Sequence, residues 1–550
     1  MADINQKLHI EELRRREEED LASILSEKYG VAYIDLGRVT INSDALRIIP
    51  EAQARESEVA AFDIVGKKIS LAMRSPANPK ITVLKEELGK KGYATNDYMV
   101  SRASLETAWN RYKDLSFAVE TKGGMIDISA DALSRTIAAI RTAADIAARI
   151  AEIGTLERAY RISRIAEVVL GGAFALDASD IHIEPEQADV RVRYRLDGVL
   201  QDIARFDHDT HTLLLSRVKL LSGLKLNIHD EAQDGRFTIA LKGAEIEVRT
   251  SVIPNAYGES IVMRLLNPET IAVPFEALGM EERMKALIER EIAKPNGMLL
   301  NTGPTGSGKS TTLYACMRRI ATPNVKVITI EDPIEYHVQG IVQTQVEKNY
   351  TFLQGLRAAL RQDPDVIMVG EIRDEEVART AIDAALTGHF VFSTLHTNNA
   401  AGTFPRLIDL GVDPKVFSAA ISVAMAQRLV RRLCDACKRP TPLGDTSARL
   451  MKTIAGLRDK TLLPPEPYSM YEAVGCEICH GTGYKGRIGV FEAIVMDAEL
   501  DTLLRASPSE RELRAYQQTK ELMLMHEDGA VKILKGITTL EEVERVVLLE

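Results

Sequence analysis

Eight consecutive residues, Gly303-Pro304-Thr305-Gly306-Ser307-Gly308-Lys309-Ser310, fit the pattern GxxxxGK[ST]. Such a run can bind phosphate. Its glycines let the backbone curl until N–H groups point inward at anionic oxygens. Lys309 supplies a compact positive charge for β- and γ-phosphates, and Ser310 offers a hydroxyl to Mg²⁺. Thr311, directly after, is taken with the loop as part of the nucleotide-binding run. The flanks are those the motif requires: apolar GMLLNT (297–302) reads as a strand and TTLYACMRRI (311–320) as a helix.

A phosphate loop that hydrolyses needs carboxylates for metal and water. KVITIEDPIE (326–335) ends in Glu331, Asp332 and Glu335, and DVIMVGEIRD (365–374) places Glu371 just past four apolar residues. Ligands of open α/β sheets bind at the C-terminal ends of strands, where these acids fall. A third apolar run, HFVFSTLH (389–396), ends in His396, which at that edge would sense a γ-phosphate.

Four of the five cysteines form two CxxC pairs, Cys434/Cys437 and Cys476/Cys479. Two pairs complete a tetrahedral thiolate site for Zn²⁺. The intervening 438–475 segment is long, but loop-closure entropy grows only logarithmically. Cys476–His480 also reads C-x-x-C-H, a haem-attachment pattern. Haem would leave the first pair unexplained and would demand export, for which the N-terminus carries no apolar signal. Cys316 reads as a core thiol.

The elements that must position these groups follow from the patterning. The chain has 550 residues, 69 basic and 79 acidic, for a net charge of −10, with 45% apolar residues. That length suits three or four domains. The acidic balance argues against nucleic acid as the main partner. No apolar run reaches the roughly 18–20 residues of a membrane span, the N-terminus carries no apolar signal region, and five cysteines are too few for a disulfide framework, so a cytoplasmic, reduced protein is expected. A charged helix is expected over 7–28, where Glu11 and Glu12 lie at helical spacing from Arg14, Arg15 and Arg16. A small α/β module occupies 1–115. A linker region, 116–159, is expected as an Ala-rich helix over 129–158. A second α/β domain with arginine-rich strands spans 160–270. Strand–helix repeats make 275–550 a mostly parallel P-loop domain, including the cysteine segment 434–490. The end, 491–550, reads as helical.

Together these blocks resemble the secretion ATPase superfamily of type II secretion and type IV pilus assembly. ITIEDPIE (328–335) is similar to its aspartate box, VIMVGEIRD (366–374) to its Walker B block and GHFVFSTLHTN (388–398) to its histidine box. SDIHIEPE (179–186), RVRYRLDG (191–198), QDGR (233–236) and GESIVMRLL (258–266) resemble its second N-terminal domain. AQRLVRRLC (426–434) and GITTLEEV (536–543) resemble its C-terminal signatures, and IIPEAQARE (48–56) its outermost domain.

The resemblance implies a RecA-like ATPase domain behind a PAS-like domain, with ATP and Mg²⁺ at the loop. It implies Glu335 as general base, Glu371 organising Mg²⁺ and water, and His396 on the γ-phosphate. It also implies Zn²⁺ on the four cysteines. The family's hexameric rings use arginines of the second N-terminal domain to complete a nucleotide site. Arg249 and Arg264 are the foremost candidates here, acting across a subunit boundary, with Arg195 and Arg217 behind them. The implied partners are other copies of the chain and an inner-membrane platform protein, at the cytoplasmic face, with no direct nucleic acid. Some relatives bind cyclic di-GMP at a module that opens Arg-Leu-Gly. Residues 1–150 contain no such triplet, which argues against that control. The alternative reading is a DNA-translocating motor of conjugation type, against which the acidic charge and the cysteine segment weigh.

Overall fold

Trp109, the chain's one tryptophan, closes a small core by donating its indole N–H to the Val59 carbonyl at 2.9 Å. It does so in a computed structural model of the chain. The structure describes residues 17–549, apart from 40, 43–44, 47, 66, 91, 115–119, 122–124, 127–129, 156–157, 242–243, 268–272, 445–446 and 521. They fall into two compact units: 17–120 with 158–164, and 125–126, 130–155 and 165–549 in the main. In the first, β1 (Ala32–Tyr33), β2 (Val59–Val65), β3 (Lys68–Met73) and β4 (Ala94–Met99) form a sheet in the order β1-β4-β3-β2. The helices Pro79–Lys90 and Arg102–Asn110 supply Leu84, Leu88, Leu105 and Trp109 to its core. Residues 17–29 are helical; the expected start of that helix, with Glu11, Glu12 and Arg14 to Arg16, lies outside the described residues.

The Ala-rich stretch forms two helices rather than one, Ala130–Ala139 and Ala143–Gly154. The break is chemical. Thr142 accepts from the Asp145 N–H, and the Asp145 carboxylate accepts from the N–H groups of Arg141 and Thr142. That capping box starts a new helix and interrupts the old one.

The second domain is built on β5 (Asp180–Pro185), β6 (Val190–Leu196), β7 (Val199–Phe206), β8 (Gln233–Leu241), β9 (Ala244–Asn255) and β10 (Gly258–Leu266). They run antiparallel in the order β8-β9-β10-β5-β6-β7. Strand periodicity explains their arginines. On β6, Val190, Val192, Tyr194 and Leu196 point inward, while Arg191, Arg193 and Arg195 lie on the other face.

The ATPase domain has a seven-stranded sheet. Its strands are β11 (Gly297–Thr302), β12 (Val327–Glu331), β13 (Val342–Gln345), β14 (Val366–Val369), β15 (Phe390–Leu395), β16 (Ile421–Leu433) and β19 (Tyr484–Val495), in the order β13-β12-β14-β15-β11-β16-β19. All neighbours are parallel except β16 and β19. β17 (Arg439–Pro442) and β18 (Ser469–Glu472) make a separate ribbon. The four central strands are buried at every residue, which is why they read as unbroken apolar runs. Met298 and Leu300 enter a core with the helices Phe352–Leu360 and Glu375–Leu386, while Leu299 enters the opposite one with Lys309–Ile320. Residues 491–495, expected to be helical, instead finish β19 by pairing with β16; helix begins at Ala498. Parallel pairing sends the chain out of β11, β12, β14 and β15 at one edge, and the site assembles there.

Candidate functional site

Leaving β11, the chain turns through Gly303, Gly306 and Gly308, at φ of 150°, 78° and 87°. Two of these glycines are also pressed against β16. A Cβ on Gly303 would lie 2.6 Å from the Gln427 carbonyl, and one on Gly308 2.8 Å from Gln427 Nε2. Gly308 caps the helix that begins at Lys309, so that helix's free N–H groups face the loop. The Ser307 hydroxyl is buried with no hydrogen-bond partner, a donor of the kind a phosphate oxygen would satisfy. Lys309 Nζ donates to the carbonyls of Gly303 (2.8 Å) and Pro304 (3.0 Å). Burial pushes this lysine down to about 8, against the upward pull of Glu371 and with a further downward push from Arg428.

The carboxylates divide by environment. Glu331 is buried and accepts from Thr329 (2.5 Å), Gln343 (3.2 Å) and Tyr314; burial raises its pKa. It braces the sheet and is not free to hold a metal. Glu371, past the end of β14, pairs with Arg373 on one oxygen and lies 3.4 Å from His396 Nε2 on the other. Arg373 also reaches Asp332 at 3.4 Å. Glu371, His396 and Asp332 are thus linked, and Glu371 acts on Lys309 through the local field.

Glu335 is met by the second domain. Arg249 Nη2 donates to the Ile334 carbonyl at 2.6 Å, its Nη1 lies 3.8 Å from Glu335, and its Nε bonds Glu247 at 2.9 Å. Within its own chain Arg249 thus stands beside the carboxylate that the resemblance names as general base. Arg264 turns elsewhere, to Asp180 at 3.0 Å, an acid that Arg195 shares at 3.1 Å. Arg217 lies on the helix His208–Leu221. The register also aligns a residue not singled out in the sequence: Arg236, Arg249 and Arg264 are cross-strand partners on β8, β9 and β10. Its only sequence signal is the QDGR block.

The four expected cysteines come together. Their sulfurs lie within 4.8 Å of one another, with Cys434–Cys476 and Cys437–Cys479 at 3.8 Å and Cys476–Cys479 at 3.7 Å. Those separations match the edge of a tetrahedron with metal–sulfur bonds of about 2.3 Å. Gly475, Gly481 and Gly483 turn the second knuckle at positive φ. The N–H groups of Cys476 and Gly483 point at the Cys479 sulfur, at 3.1 and 3.2 Å. Burial raises this thiol's pKa, but the two donors outweigh it and bring Cys479 to about 7. A metal-binding thiolate is thereby favoured.

A parallel sheet with a phosphate loop, an acid and a histidine at one edge defines a P-loop ATPase. The model of the family described as type II/IV secretion system protein matches residues 156–545, and the chain belongs to that family. The MshEN domain model matches residues 29–117, within the stretch that lacks Arg-Leu-Gly. The type II secretion system protein E of Pseudomonas aeruginosa is 43% identical over 387 residues, covering 70% of this chain and 75% of that protein. The type IV pilus assembly ATPase PilB of Myxococcus xanthus is 35% identical over 538 residues, covering 96% and 91%. Among solved structures, the Legionella pneumophila ATPase DotB matches with a TM-score of 0.50 and 24% identity over 69% of this chain and 94% of that one, a likeness of fold.

The lysine's depressed pKa has a consequence for binding. With its pKa at about 8, free Lys309 loses its proton near pH 8, whereas a lysine facing a triphosphate is charged. Binding above that pH must take up a proton. ATP affinity is therefore expected to hold up to about pH 8 and then fall, approaching tenfold per pH unit, while Lys309→Arg stays flat. Equilibrium binding measured between about pH 7 and pH 9.5 checks this; a constant wild-type affinity contradicts it.

Proposed function

We propose that this chain is the ATP-hydrolysing motor of a type IV pilus or type II secretion pseudopilus. In this reading it works as a homo-hexamer seated on an inner-membrane platform protein at the cytoplasmic face. The observation that carries the reading is the meeting of Lys309, Glu371 and His396 at one sheet edge. Among the described residues no helix is long and apolar enough to cross a membrane, so membrane attachment is assigned to the partner.

The backbone N–H groups of 305–311 and the Lys309 ammonium bind the phosphates. Ser310 and Glu371 would hold Mg²⁺, which neutralises charge on the β- and γ-oxygens. Glu335 orients a water and takes its proton as the water oxygen attacks the γ-phosphorus. The bond between that phosphorus and the bridging oxygen breaks, its electron pair leaving with ADP, and the proton passes to solvent. His396, held by Glu371, contacts the γ-phosphate and links its presence to the metal-holding acid. Arg249 stands beside Glu335 with a guanidinium for the charge that develops, and it serves the nucleotide of its own chain. Zn²⁺ is the ion assigned to the four cysteines, because four thiolates select a soft, tetrahedral metal.

Lys309→Ala is expected to abolish ATP turnover. Glu335→Gln and Glu371→Gln are expected to bind ATP while turnover falls by about 10²–10⁴. Lost affinity with unchanged turnover of the residual enzyme would contradict the roles of the two acids, and near-normal turnover of Lys309→Ala would sink the assignment of the loop.

Metal analysis of protein purified under reducing conditions should find about one Zn²⁺ per chain. Cys434→Ser or Cys479→Ser should lower it and destabilise the C-terminal segment. A fully folded, metal-free wild-type protein would refute the zinc site.

A further inference from the structure

Gln427 and Arg428 lie on β16 where that strand passes behind the phosphate loop. Gln427 Oε1 accepts from Asn301 Nδ2 at 3.0 Å and from Thr312 Oγ1 at 2.8 Å. It therefore ties the strand entering the loop to the helix leaving it. Arg428 is almost entirely buried, at 9% exposure; among the described residues no carboxylate is in bonding contact with it, though Glu492 lies close enough to act on its charge. Its Nη1 donates to the Gln427 carbonyl at 3.0 Å, the same oxygen that a Cβ on Gly303 would meet at 2.6 Å. Its Nη2 donates at 2.7 Å to the carbonyl of Asn398, two residues past His396. A buried cation is costly unless its donors are used. Here one is spent on the backbone of β16 itself and the other on the loop that carries His396.

The far side of the histidine loop is anchored by other groups. The Glu492 carboxylate accepts from the Ala400 N–H (2.8 Å) and the Met525 N–H (3.0 Å), and Asn399 Nδ2 donates to Glu510 at 2.6 Å. Thr302, at the end of β11, shares a hydroxyl contact of 2.7 Å with Thr397. The backbone from 397 to 400 is thus fixed at each residue. Arg428 ties that backbone to β16, the strand against which Gly303 and Gly308 of the phosphate loop are packed.

We infer that Arg428 is a positioning residue for hydrolysis: it pins the loop carrying His396 to β16, the strand that backs the phosphate loop and that Gln427 ties to Asn301 and Thr312, so that the histidine meets the γ-phosphate in one register. The inference rests on the reading of His396 as the γ-phosphate contact. Arg428 touches neither nucleotide nor water in this role, so its loss strikes turnover more than binding. Lysine cannot replace it, because a single ammonium on a different stem does not reproduce a planar fork spanning two carbonyls.

The test is a double-mutant cycle on the full-length ATPase, with kcat, ATP KM and melting temperature measured for each variant. Arg428→Gln is expected to lower kcat on the order of 10²-fold, the cost of a misplaced catalytic group, with KM changed less than about threefold. Arg428→Lys is expected to stay within a few-fold of Arg428→Gln. Arg428→Gln combined with His396→Ala should turn over no more slowly than His396→Ala alone, because both remove one contact. Multiplied losses overturn the bridge, as do a loss seen in KM alone and full rescue by lysine. An unchanged kcat in His396→Ala strikes the histidine's own role instead, and the inference falls with it. If Arg428→Gln fails to fold, Arg428→Lys carries the same cycle.

Discussion

A half-buried lysine ammonium held by two backbone carbonyls is an unfinished ion pair. Lys309 rests on the oxygens of Gly303 and Pro304, with a second cation, Arg428, behind it. Carbonyl dipoles hold such a charge only weakly, and the lowered pKa of Lys309 records the cost. A triphosphate supplies the missing anion. The surrounding architecture follows from that requirement. Glycines must let the backbone close around the phosphates, β16 must pass close enough behind them to bring Gln427 and Arg428 against the loop, and Glu371 must approach without neutralising the lysine by contact. Arg373 and His396 keep it on the far side of the edge.

The second domain brings the opposite problem. Its strands set Arg236, Arg249 and Arg264 side by side, and like charges directly opposite one another destabilise a sheet. Asp180 and Glu247 offset part of that repulsion. A row of cations whose outer faces lie towards solvent is suited to polyanions, and Arg249 carries the row to the edge of the ATPase domain at Ile334 and Glu335. The proposed mechanism turns on this contact. In that proposal the nucleotide site is built from two domains of one chain, because Arg249 of the second domain stands against Ile334 and Glu335 of the ATPase domain.

What could be read in the sequence was whatever is local in it. The phosphate loop and the CxxC pairs are contiguous, so residue type and spacing suffice. The buried strands declare themselves because both of their faces are covered. Burial of a particular side chain is not local: Glu331 and Glu371 look alike on paper, yet one is enclosed by Tyr314, Thr329 and Gln343 while the other ends at an open edge. Register is not local either, which hid Arg236, and domain packing decided that Arg249 meets Glu335 of its own chain. The helix break at Thr142 was written locally as Thr-x-x-Asp, but the alanine periodicity running through it was the stronger pattern. The strand over 491–495 was missed because its partner β16 lies more than fifty residues away in sequence.

The sharpest test asks whose nucleotide Arg249 serves. Two inactive variants, Glu335→Gln and Arg249→Ala, are co-expressed or exchanged into mixed rings, with ring formation of each checked by sizing, and ATPase activity is measured. If Arg249 completes the site of its own chain, every subunit in the mixture lacks one of the two groups, and activity stays at the level of the separate variants. Partial recovery of ATPase in the mixed rings would mean that the arginine of one subunit serves the carboxylate of its neighbour, and would contradict the account.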